Sequence, residues 1–211
     1  MKYYSILLAT LLGLGLTGCG TENKAPELAA PQTETSVKTK PQVPEIAEKS
    51  ETLYHQAAQA YGKGNQTEGL QLANQALAAD TNNYKAYSLK GIILAFNGSP
   101  EDGIASVQKA LELNPTYTQA FFDMAMAQKL GKHYDESIFY FQKVLVVDSK
   151  NTWSYYGIAT NYADKRDKAH ALEYLQKAMA LDPDHVRPEA VSQDHFTWLR
   201  QDPDFQRVVG Q

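Results

Sequence analysis

The sequence predicts an all-helical array: four helical hairpins in series, closed by a C-terminal cap. Three observations carry that expectation. A unit of 34 residues recurs four times without a gap, at 50–83, 84–117, 118–151 and 152–185. Small residues return at fixed places within it: Ala57, Gly91, Ala125 and Ala159 at its eighth position, Gly69, Gly103, Ser137 and Ala171 at its twentieth, and Ala76, Ala110, Val144 and Ala178 (Val144 the largest) at its twenty-seventh. Small side chains let two helix backbones approach closely, so these positions mark helix crossings. Apolar residues within each unit follow a helical period, broken once by a short polar turn and again at the end of the unit.

The second unit is the clearest. Its first helix ends near Asn97-Gly98, and Pro100 stands in the first turn of a second helix that carries Ile104, Val107 and Leu111 and stops at Asn114-Pro115. A lone hairpin of this kind cannot bury its apolar face, which is why its neighbours repeat it. The first unit starts near Ser50, its candidate N-cap, and places helices at 51–63 and 67–79 around Gly64-Asn65. Ala73 occupies the place that Val107, Phe141 and Leu175 hold in the other units, so the first unit has less side-chain volume to pack. Helices follow at 84–97 and 100–113, at 118–131 and 135–147 with Asp135 as a cap, and at 152–164 and 168–181. The connections are short, as antiparallel neighbours require. After 185 the pattern changes. Arg187-Pro188-Glu189 suits a helix start with proline at N1, and Asp202-Pro203-Asp204 opens a last short helix with Phe205, Val208 and Val209 on one side. We read 186–211 as a cap over the last exposed face of the array.

The amino terminus reads differently. Met1-Lys2 is a short positive start, and Ile6 to Leu16 is an apolar run too short to span a bilayer, which takes roughly 20 helical residues. That combination is a signal-peptide core over 1–18. The run ends in Leu16-Thr17-Gly18-Cys19, which resembles the bacterial lipobox. The resemblance implies cleavage before Cys19, acylation of that residue and a lipid-anchored protein of the bacterial cell envelope, facing the periplasm from the outer membrane if the source is diderm. Two or more acyl chains hold a protein stably on a membrane, whereas one binds marginally. Residues 19–49 are rich in Pro, Thr, Glu, Lys and Gln, with Pro26, Pro31, Pro41 and Pro44 and no apolar period, and read as a disordered tether.

Composition narrows function by exclusion. The formal charge is -4, and because the five lysines and five glutamates before residue 50 cancel, residues 50–211 carry all of it. No basic stripe offers itself to a phosphate backbone, which argues against nucleic acid. The single cysteine excludes an intrachain disulfide. The histidines form no metal-binding helix motif, although Asp184, His185, Asp194 and His195 fall close together in the cap and read as a surface cluster. No organised acid–base pair, nucleophile elbow or phosphate loop stands out. We therefore expect neither catalysis, nor a cofactor, nor a metal.

Over 50–185 the small-residue offsets and the hairpin period resemble the tetratricopeptide repeat family. Thr81 and Ser149 depart from it where Pro115 and Pro183 keep the usual proline. The resemblance implies a right-handed superhelix whose concave groove holds a peptide or a partner protein. It also implies which residues line the groove, since in this family the first helix of each unit does so. Carried onto this chain, the lining includes Tyr54, Tyr61, Lys85, Ile92, Phe96, Phe122, Met126, Lys129, Trp153 and Tyr156. Some members grip a terminal carboxylate with basic and Asn residues; the matching positions here hold Tyr54, Ala58, Leu89, Gln119 and Asp123, so that clamp is missing. The expected function is a non-catalytic scaffold of the envelope, of the class that assists pilus assembly, outer-membrane assembly or cell-wall enzymes. A second reading is a carbohydrate- or peptidoglycan-binding accessory module, with Trp153 and Tyr156 stacking on sugar rings.

Overall fold

A computed structural model describes residues 42–210. The expected signal peptide, Cys19 and most of the tether lie outside them. Helices pair as hairpins along the described chain: α1 (Glu48–Gly62) with α2 (Gln66–Ala79), α3 (Tyr84–Phe96) with α4 (Pro100–Leu113), α5 (Thr118–Leu130) with α6 (Tyr134–Val147), and α7 (Thr152–Asp164) with α8 (Lys168–Leu181). Each hairpin also packs on the next, through α2 on α3, α4 on α5 and α6 on α7. Then come α9 (Pro183–Ser192), a 3₁₀ helix (Asp194–Leu199) and α10 (Pro203–Val209). None of the described helices is long and apolar enough to cross a membrane.

The recurring small residues are all buried, and they sit where helices cross. A Cβ added to Gly103 would lie 2.6 Å from the Gly91 carbonyl oxygen, and one added to Gly91 would lie 2.6 Å from that of Gly103. The backbones of α3 and α4 therefore touch at this point. Between the third and fourth units the space beside Gly157 is filled by the fully buried ring of Phe141. The turn inside each hairpin needs a left-handed residue at the same place. Gly64 and Gly98 supply it in the first two units, Lys132 and Arg166 (both at φ 63) in the last two. The guanidinium of Arg166 lies 5.1 Å from the centre of the Trp198 ring, a contact that helps offset its backbone strain.

Three expected details differ. Ser50 is no cap: α1 starts earlier, behind Ala47, whose N–H donates to Asp80 Oδ2 at 2.8 Å. Ser50 instead lies buried inside the helix, donates to the Ala76 carbonyl and accepts from Asn83 Nδ2, which joins α1 to the end of α2 and the start of α3. The tether therefore gives way to helix at Glu48 rather than after 49. Asp135 does not cap α6 either; His133 holds the cap position and Asp135, in the first turn, pairs with Lys165. Finally, Pro188 is internal to α9. That helix opens at Pro183, with Asp182 closing α8 and capping α9 through the His185 N–H. A proline in the second turn is tolerated here because the bond it cannot donate would go to the carbonyl of Asp184, an exposed residue of the first turn within reach of water. Hence the last elements begin three residues inside the expected fourth unit.

These last elements cover α7 and α8. Val186, Phe196, Leu199, Phe205 and Val209 bury themselves against Leu175, Ala178 and Met179, forming the largest continuous apolar cluster among the described residues. Polar contacts fix them in register: Trp198 Nε1 donates to the Ala163 carbonyl, and Lys168 bridges Asp202 and Asp204 at 2.6 and 2.9 Å. The first unit is leaner, with Ala57, Ala60, Ala73, Ala76 and Leu77 as its own buried apolar residues beside Leu89, Ile92 and Ile93 of α3.

Candidate functional site

The first helices of the units, α1, α3, α5 and α7, present one continuous lining. Two abutting cavities are cut into it. One, of about 480 Å³, is bounded by Tyr54, Tyr61, Lys85, Ile92 and Tyr117, among others. The other, of about 650 Å³, is bounded by Lys129, Trp153, Tyr156, Thr160 and Asp164, with Gln193 and His195 contributed by the cap. Phe96, Phe122 and Met126 belong to both and form the ridge between them. All ten residues named above for the groove line one cavity or the other.

Their exposure divides them. Phe96 and Trp153 are 44% and 42% exposed and stand as free walls. Ile92 and Tyr156, each 6% exposed, form the floor. Tyr156 is also seated beneath the cap, where its hydroxyl donates to Gln193 Oε1 and its ring packs against Phe196. Trp153 meets Tyr156 edge to face at 86°, so the pair offers a sugar ring no shared flat platform. Phe122 is half-buried and meets the core ring of Phe141 at 5.4 Å, tying groove to core.

The two groove lysines differ. Lys85 donates to Glu51 Oε1 at 2.6 Å, and that bond holds its pKa above the usual value. Lys129 donates to Thr160 Oγ1, and among the described residues no carboxylate lies in ion-pair range of it. Burial lowers its pKa to about 8, opposed by the field of Asp164. Asp164 itself is engaged by His195 Nδ1 at 2.7 Å. In the first cavity Asp123 is 5% exposed and accepts from Ser88 Oγ and Gln119 Nε2 at 2.6 and 2.8 Å. Burial pushes its pKa up to about 7 in spite of both bonds. Gln193 and His195 could not be assigned to the groove from the repeat offsets, because they lie beyond the last repeat. His185 pairs with Asp182 and His195 with Asp164, so the acidic and imidazole groups of the cap do not converge. Among the described residues no group of three or more His, Cys, Asp or Glu is placed to hold a metal ion.

Residues 84–117 and 154–185 match the family model of the tetratricopeptide repeat. The fold is a tetratricopeptide-repeat solenoid. Solved tetratricopeptide-repeat structures superpose on it. YrrB, described as a tetratricopeptide-repeat protein with an unusual peptide-binding site, is 27% identical with a TM-score of 0.55, over 64% of this chain and 70% of its own. A thermophilic tetratricopeptide-repeat protein of Thermus thermophilus gives a TM-score of 0.64 at 14% identity, over 75% and 87% of the two chains. The pilF protein of Pseudomonas aeruginosa gives 0.62 at 15% identity, over 76% and 73%. No curated protein matches in sequence. Tetratricopeptide-repeat proteins act as protein–protein interaction scaffolds.

Proposed function

We propose that this protein is a non-catalytic scaffold of the bacterial envelope, anchored through acylated Cys19, that holds a segment of a partner protein in its groove. The observation that carries the reading is the pair of abutting cavities walled by Phe96, Phe122 and Trp153. Rigid aromatic side chains bury much area at small entropic cost and dominate interface energies. The peptide-binding site of YrrB, a solenoid of the same repeat, supports the same use of this groove. Roles in pilus assembly, outer-membrane assembly or recruitment of cell-wall enzymes all fit a scaffold of this kind.

The test is a photo-crosslinkable residue at Phe122, compared with one at Val146, which is 86% exposed and belongs to neither cavity. In the native envelope the groove position is expected to capture a discrete partner adduct, which Phe96→Ala weakens. Adducts from Val146 alone would place the interface elsewhere. Cys19→Ala is expected to release the protein to the soluble fraction or leave its precursor uncut; a mature, membrane-bound variant would refute the anchor.

A further inference from the structure

The second cavity has an apolar end and a charged end. Phe122 and Trp153 stand at the first, Lys129 and Thr160 at the other. Phe122 and Lys129 are seven residues apart on α5, as are Trp153 and Thr160 on α7, which is about 10 Å of helical rise. An extended chain covers that distance in about three residues.

Lys129 is the unusual member. Lys85, Lys109, Lys165, Lys168 and Lys177 each have a carboxylate within 4.0 Å. Lys129 is more enclosed than these yet has only a neutral hydroxyl as its hydrogen-bond partner, and Asp164 is engaged by His195. A half-buried ammonium without a counter-charge is costly, and a hydroxyl satisfies one of its three donors. Lys132, at the same end of the cavity, adds a second positive charge.

Resting on the reading of the groove as a segment-binding site, we infer that its second cavity selects an extended partner segment with an acidic side chain about three residues from a large apolar one. The apolar side chain packs between Phe122 and Trp153. The carboxylate accepts from Lys129 Nζ, completing the ion pair that the protein leaves open.

The test uses the full chain and a library of random dodecapeptides, synthesised with amidated C-termini so that only side chains can supply a carboxylate. Peptides are retained if they bind the protein and lose binding in Phe122→Ala. The retained set is expected to be enriched in Asp or Glu two to four residues from Phe, Leu or Trp. For such a peptide, Lys129→Met is expected to weaken binding about tenfold or more. The Glu→Gln peptide should lose as much on the wild type and nothing further on Lys129→Met, while Lys132→Gln costs less. A retained set without acidic enrichment, bound equally by Lys129→Met, overturns the acidic selectivity and leaves the groove standing. Acidic peptides that bind only when their C-termini are free overturn it as well. A library yielding no Phe122-dependent binder overturns both readings. Thermal melting of Lys129→Met, expected at or above the wild-type midpoint, keeps a loss of fold from passing as a loss of contact.

Discussion

Asp123 places a carboxyl group at the side of the groove with almost no water around it. Ser88 and Gln119 donate to it, but burial outweighs them and its pKa rises to about 7. A raised carboxyl pKa means the native state keeps a proton that the unfolded chain has already lost. Between about pH 4 and pH 7 the folded form therefore binds more protons, and the contribution of Asp123 to stability falls as pH rises through that window, then levels off. The ceiling is about 1.4 kcal/mol for each pH unit. Chemical denaturation across pH 4 to 8 is expected to show this decline in the wild type and to lose it in Asp123→Asn. Parallel curves for the two proteins would mean that the carboxyl is ionised throughout. Sequence position flagged Asp123 only as a place where a carboxylate clamp is missing. Its partners Ser88 and Gln119 come from α3 and α5, and nothing local to Asp123 announces that it is desolvated.

Among the helices, α3 and α4 meet backbone to backbone. Gly103→Ala would bring a methyl group to 2.6 Å from the Gly91 carbonyl and 2.9 Å from Ala95 Cβ, and the obstacles there are backbone or short and rigid. We expect it to cost about 1 to 3 kcal/mol in denaturant titrations, the usual penalty for overpacking. Gly62→Ala, at the end of α1 with nothing within 4 Å of its added methyl, should be neutral or mildly stabilising. A Gly103→Ala protein as stable as the wild type would show that the two helices can separate freely. This crossing was legible in the sequence, because Gly91 and Gly103 recur with small residues in every unit. The caps were less so. Ser50 has the composition of an N-cap, but its hydrogen-bond partners Ala76 and Asn83 lie 26 and 33 residues away, and that pairing decides its role. In the same way, Asp135 is drawn to Lys165 of the following unit rather than to its own backbone. Local pattern fixes where a helix lies, while these side chains answer to residues one unit away.

For the molecule as a whole, the closing elements matter twice. They cover Leu175 and Met179, and they lend Gln193 and His195 to the second cavity. Removing 183–211 should strip the cover from α7 and α8, lower the melting midpoint and lower solubility. An unchanged midpoint would show that α8 ends the array without help. The apolar residues after 185 made such a cover legible, but its starting point at Pro183 and its share of the groove were not. The starting point depends on Asp182 serving two helices at once.

The lean first unit has a mechanical consequence. A load applied through the chain upstream of Val43 reaches α1 and α2 first. That is the end where Ala73 replaces a large side chain and the buried residues are mostly alanines. The opposite end is held by Phe196, Phe205 and Leu175 and by the Lys168 bridges. Under tension the array should ravel one way, from α1 inward. In an optical trap its first yield should release about one repeat, roughly 110 Å of extended chain, with the aromatic ridge of the groove still folded behind it.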